Sequence, residues 1–199
     1  MSDTEFFTSM IYVSAAIGAA IGIVIGAVIN IITMLYAKKN GARLYGLVWL
    51  PIGNAYVLGQ LADKFDDKKA RVKLTLVSLV TSLVQFPLVI YMYYFMFTDY
   101  IPAMTGLLDY NELGGDYFTT MFTFSIISTI ASLVSIPYII YYYITFYRIF
   151  SAKSPQNAVM WIVLSILFTT IVPVIFMLVY MNKPSFSKNP QYAPTSEPR

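Results

Sequence analysis

The sequence predicts an all-α integral membrane protein: a bundle of four transmembrane helices with an interfacial or re-entrant helical hairpin between the first and second. Three observations carry that prediction. Hydrophobic residues fill 58% of the 199 positions and charged residues 12%, whereas a globular domain carries about 25% charged residues; so few charges cannot clothe a water-facing surface. Uncharged runs cover 6–37, 74–98, 117–147 and 158–182, each longer than the ~20 residues that cross a ~30 Å hydrocarbon core. Between the first two runs, the stretch 38–73 holds Lys38, Lys39, Arg43, Lys64, Lys68, Lys69, Arg71 and Lys73, most of the 13 basic residues, and so orients the chain.

The expected spans are about 10–36, 72–97, 117–147 and 159–181, within a single transmembrane domain over 1–181. Residues 182–199, with Pro184, Pro190, Pro194 and Pro198, offer little that forms a core and are expected to be a disordered tail. The acidic start, Met1 to Glu5, lacks the basic residues of a secretory signal, so the first span is expected to be retained. A short tail without Lys or Arg crosses a membrane readily, which puts the N-terminus outside.

The first span reads SAAIGAAIGIVIGAVIN in its middle. Gly18, Gly22 and Gly26 recur every four residues, with Ser14 and Asn30 on the same stripe. Missing side chains on one helix face admit another backbone, so this stripe is expected to pack helices, either against another span of the chain or against a second copy.

The cations at 38–43 and at 64–73 mark both ends of the next stretch as cytoplasmic and suit contact with anionic headgroups. A crossing at 44–62 would strand one cluster outside. The segment is therefore expected to lie along the interface or to dip in and return. Pro51 biases Leu50 toward extended backbone, and Asn54 is placed to cap a second helical arm. Trp49, Tyr45 and Tyr56 suit the half-wet headgroup level.

The pattern Trp49-x-Pro51-x-x-Asn54-x-Tyr56-x-Leu58-Gly59-x-x-Ala62-Asp63, followed by a basic stretch and a span, resembles a segment of small polytopic bacterial membrane proteins of unknown function. It covers about a fifth of the chain, and the resemblance implies a class without an activity.

Farther on, Asp66 or Asp67 is placed to cap the second span. Spans two to four each carry hydroxyl or amide side chains followed by a proline: Ser78, Thr81, Ser82 and Gln85 before Pro87; Ser125 to Ser135 before Pro137; Ser165, Thr169 and Thr170 before Pro173. Proline frees the carbonyl four residues earlier, which neighbouring hydroxyls can satisfy. Ser82, Gln85, Ser132 and Thr169 are the candidates to line a polar cavity. The acidic loop 99–116 belongs outside, and Arg148 and Lys153 belong inside. That leaves the C-terminus outside, where Lys183 and Lys188 oppose the charge rule.

Apart from Lys73 at the edge of the second, no span contains an ionisable Asp, Glu, Lys or Arg, which argues against coupled transport. The chain has no histidine and no cysteine; metal sites, cofactors and activated hydroxyls would lack their usual partners, so none is expected and the chain is not expected to be an enzyme. Basic charge beside membrane spans does not point to nucleic acid. Two functions remain: a non-catalytic scaffold, regulatory or immunity-type subunit meeting anionic lipid, a membrane-protein partner or a second copy, or a passive channel or small carrier for a neutral or weakly polar solute.

Overall fold

The computed structural model describes residues 3–65, 69–95, 98, 114–169 and 171–184. Every regular element among the described residues is helical. The α-helices are α1 (Asp3–Lys39), α2 (Pro51–Phe65), α3 (Ala70–Phe95), α4 (Gly114–Lys153), α5 (Ala158–Phe168) and α6 (Ile171–Tyr180), with 3-10 turns at Tyr45–Trp49 and Pro155–Asn157. Ser9–Lys39, Ala70–Phe95 and Met121–Lys153 are long and apolar enough to cross a membrane. Asp66, Asp67 and Lys68, most of the loop 99–116, Thr170 and the tail from 185 lie outside the described residues, so the expected Asp66 or Asp67 cap does too.

By contact the chain forms two units, Met1–Gly26 with Leu83–Ser135, and Ala27–Ser82 with Ile136–Arg199. In the first, α3 and α4 meet where Gln85 Nε2 donates to Ser135 Oγ at 2.6 Å and Phe95 stacks on Phe124 with ring centroids 5.9 Å apart. The glycine stripe of α1 is open: among the described residues nothing lies within 4 Å of a Cβ built on Gly18, Gly22 or Gly26. The expected packing of the stripe against another span of the same chain is therefore not seen.

The second unit holds the core. Tyr36 and Ala37 of α1, Leu74 of α3, Phe146, Ile149 and Phe150 of α4, and Phe176 and Met177 of α6 are buried together with Val57, Leu58, Leu61 and Ala62 of α2. Helix α2 is enclosed: only Pro51 is exposed along its length. This is not the half-immersed arm expected of an interfacial helix. Small residues permit the enclosure. A Cβ on Gly59 would stand 2.4 Å from Arg71 Cα, and one on Gly53 would stand 2.2 Å from Leu47 O, both impossible contacts. The close-approach glycines are thus in α2, where one admits the start of α3 and the other the returning 3-10 turn.

Local signals set the ends. Gly41, with φ of +70°, closes α1 in a Schellman arrangement, with Ala42 N–H on Ala37 O at 2.9 Å and Gly41 N–H on Lys38 O at 3.1 Å. Leu50 is extended (ψ 135°) as Pro51 requires. Pro51 itself opens α2, a position where its missing N–H costs nothing. Asn54 is consequently not an N-cap but the fourth residue of the helix, its N–H on Leu50 O at 2.7 Å. Asp63 caps α3 from the end of α2: its carboxylate accepts the N–H groups of Ala70 and, at 3.1 Å, of Arg71.

The run expected as a fourth span is two helices of 11 and 10 residues. The chain breaks at Thr169 (φ 50°, ψ −123°) and turns back. Trp161 and Tyr180 would lie about 28 Å apart in one continuous helix, yet their rings are 6.0 Å apart, and Trp161 also meets Phe176 edge-on at 5.2 Å. Tyr180 OH reaches Ser154 Oγ at 3.3 Å, Lys153 Nζ donates to Lys183 O at 2.5 Å, and Lys39 Nζ donates to Asn182 Oδ1 at 2.7 Å. Residue 169 is the one whose carbonyl Pro173 cannot satisfy. Pro173 therefore sits in the first turn of a new helix, where proline is tolerated, whereas Pro87 and Pro137 stay inside continuous helices.

Two substitutions test this packing by denaturant titration in mixed micelles. Gly59→Ala should lower the unfolding free energy by about 1–3 kcal/mol through overpacking, while Gly22→Ala should leave it unchanged or raise it by up to about 1 kcal/mol through helix propensity. Asp63→Ala should cost about 1 kcal/mol by uncapping α3, and Asp63→Asn should keep most of the wild-type stability.

Candidate functional site: a basic rim around α2

The basic residues of 38–73 do not act alike. Lys38 is exposed, with its amine 5.6 Å from the centre of the Tyr45 ring, and Lys39 is committed to Asn182. Lys69 and Lys73 are exposed at the start of α3, and Lys68 lies outside the described residues. Lys64 Nζ donates to Asn40 O at 2.6 Å, closing the end of α1. The guanidinium of Arg71 lies over the Tyr56 ring, 5.6 Å from its centroid.

Arg43, Lys64 and Arg71 converge on one pocket of about 690 Å³, together with the backbone from Gly41 to Leu44 and the side chains of Tyr56, Gln60 and Leu61. Among the described residues no carboxylate lines it. Tyr56, Gln60 and Lys64 follow one another at four-residue steps, so they form one stripe of α2, and the stripe is half-buried where the rest of the helix is mostly covered. Positive charge is thereby concentrated on a concave surface, where field lines focus and attract anions.

A second, apolar pocket of about 440 Å³ is lined by Leu47, Leu50, Pro51, Ile52, Gly53, Tyr56, Thr75 and Ser82. It shares Tyr56 with the basic pocket. Beside it Trp49 and Leu50 are exposed, at 49% and 58%. Asn54 is half-buried, and its Oδ1 has no hydrogen-bond partner among the described residues.

The other expected site residues fall elsewhere. Gly18 and Gly22 are exposed, and Gly26 and Asn30 are half-exposed on α1. Ser82 lines the apolar pocket. Gln85 is held by Ser135. Ser132 returns its hydroxyl to Ser128 O at 2.9 Å, and Thr169 forms the break between α5 and α6. Sequence reasoning gave Gly53 and Gln60 no place in the site and named Gly59 and Asp63 only within the pattern of 49–63, without the close approach and the cap they form. The two glycines had a signal in the six-residue spacing around small and apolar neighbours in PIGNAYVLG. Asp63 had one as a carboxylate at the end of an apolar helical run, seven residues before the start of α3.

Comparison with models of protein families, with curated proteins and with solved structures finds no match, so what this rim does must be argued from the chain's own residues.

Proposed function

We propose that the chain is a non-catalytic multi-pass membrane protein, a scaffold, regulatory or immunity-type subunit whose basic segment 38–73 lies on the cytoplasmic side against anionic lipid or a protein partner. The enclosure of α2 carries this reading. A helix buried among the ends of α1, α3, α4 and α6, ringed by cations at its rim, is a rigid platform and not a path for solute.

The hairpin of α5 and α6 supports three crossings in place of four. Each of its arms is about 15–17 Å long, half of the hydrocarbon core, and its end is tied back to Lys39 and Lys153. On this topology the N-terminus is outside, residues 38–73 and 148–157 are inside, and Lys183 also lies inside, as the charge rule prefers. The segment 44–65 is then a re-entrant return shielded by protein, a condition under which broken backbone at depth is tolerated. The resemblance of 49–63 to small bacterial membrane proteins fits a cell-membrane location.

The channel or carrier alternative draws less support. The hydroxyls it would present to solute are turned to carbonyls of their own helix at Ser125, Thr129, Ser132 and Ser135, which satisfies them without a solute.

Reporter fusions after Lys39, Lys69 and Lys183 should all read as cytoplasmic; an external signal at Lys69 would discard the topology. Because the chain lacks cysteine, single cysteines at Ser82, Ser132 and Thr169 give a clean second check. A membrane-impermeant thiol reagent should label them at least tenfold more slowly than a cysteine at Lys38 in permeabilised cells, and rapid labelling of all three would favour a channel.

A further inference from the structure

We infer that the basic pocket and the apolar groove form one site that holds a single anionic phospholipid, its phosphate among Arg43, Lys64 and Arg71 and the upper part of an acyl chain in the groove beyond Tyr56. The inference rests on the membrane reading above but goes past it: a general attraction of eight cations to a charged surface needs no particular pocket.

Three features of the geometry point to a lipid. The two pockets adjoin at Tyr56, which lines both, so one ligand bent around that ring would reach both. They are opposite in character: Arg43, Lys64 and Arg71 line one, and Leu47, Leu50, Pro51 and Ile52 line the other. Their order along both helices is the same. Going up α2 from Lys64 to Ile52 spans about 18 Å, and going along α3 from Arg71 to Ser82 spans about 16 Å; on each helix the cation comes first and the uncharged lining follows, Ile52 on α2 and Thr75 and Ser82 on α3. Helices α2 and α3 run antiparallel here, since Asp63 caps Ala70 while Ile52 and Ser82 share the groove. A headgroup-to-tail gradient of this kind matches a lipid standing along α3. A free phosphate would use only the basic end. Arginine supplies two of the three cations, and its planar fork suits a phosphodiester.

The remaining exposed cations make an internal control. Lys38 and Lys73 carry the same charge as Arg43 and Arg71 and lie in the same segment, but do not line the pocket. Arg43 and Arg71 are exposed, so neutral replacements leave the core intact.

The test is native mass spectrometry of the full chain, purified in detergent and equilibrated with mixed micelles of phosphatidylglycerol and phosphatidylcholine of matched chains. One phosphatidylglycerol should be retained per chain, at least tenfold over phosphatidylcholine. The double variant Arg43→Gln/Arg71→Gln should lose that preference by tenfold or more, and Lys38→Gln/Lys73→Gln should keep it. Ser82→Phe, which fills the groove, should reduce retention while leaving the charge untouched. Equal losses in the two double variants would reduce the site to diffuse surface charge and overturn the proposal. So would equal retention of the two lipids, or displacement by glycerol 3-phosphate at equimolar concentration with no effect of Ser82→Phe, which would mark a soluble-phosphate site. Retention is read on purified protein and topology by the reporter fusions. A chain that keeps the lipid but exposes Lys69 outside loses only the cytoplasmic reading, and a cytoplasmic Lys69 without retained lipid loses only the site.

Discussion

The approach of α2 to the first turn of α3 at Gly59 sets the spacing on which the packed unit depends. With a hydrogen in place of a side chain, the α2 backbone lies directly against Arg71 Cα. That contact brings Asp63 within reach of the free N–H groups at the start of α3 and places the Arg71 side chain over Tyr56. At the other end of α2, Gly53 does the same for Leu47, so the turn before the helix folds back onto it. Two missing side chains thus fix both the return of the chain and the width of the pockets along α2.

Helices too short to cross a bilayer need their backbone satisfied within the protein. The structure meets this need twice. The segment 44–65 is held among the ends of the long helices, and the α5–α6 hairpin is held by aromatic contacts, with Phe150 and Phe176 4.4 Å apart and Phe176 stacked on Tyr180 at the same separation. Phe146 and Phe150, and likewise Phe176 and Tyr180, are four residues apart, so each pair presents one face of its helix. Aromatic rings suit this task because they fill volume with few rotatable bonds and add edge or offset contacts to their buried area.

Much of this was legible in the sequence. Runs of uncharged residues longer than a bilayer needs gave α1, α3 and α4, and Pro51 gave the extended Leu50 between two helical arms. The cluster of cations at 38–73 pointed to the region where the site lies. Depth of burial was not legible, because the same apolar stretch 55–62 serves an interfacial helix or an enclosed one, and only the contacts at Gly53 and Gly59 separate the two. The glycine stripe of α1 is the converse case: a strong pattern with no neighbour in the chain to receive it. For 158–182, length and hydropathy favoured a span, and the break came from a local conflict. A proline at 173, four residues after Thr169, and a chain end carrying Asn182 and Lys183 that finds partners on Lys39 and Lys153 outweigh the apolar run.

The return also gives Lys153 a partner. A through-running helix would carry Lys183 away from Lys153 and leave the Lys153 amine without that acceptor. Turning back at Thr169 gives Lys153, only 5% exposed, the carbonyl of Lys183 at 2.5 Å and the face of the Tyr36 ring at 5.9 Å. A buried ammonium is tolerated only when such acceptors surround it. The turn itself costs a residue with positive φ at Thr169, of order 1–3 kcal/mol. Against that stand the aromatic packing of Trp161, Phe176 and Tyr180 and the acceptor gained by Lys153. The return thus joins both ends of the apolar run, with Lys153 on Lys183 O and Lys39 on Asn182.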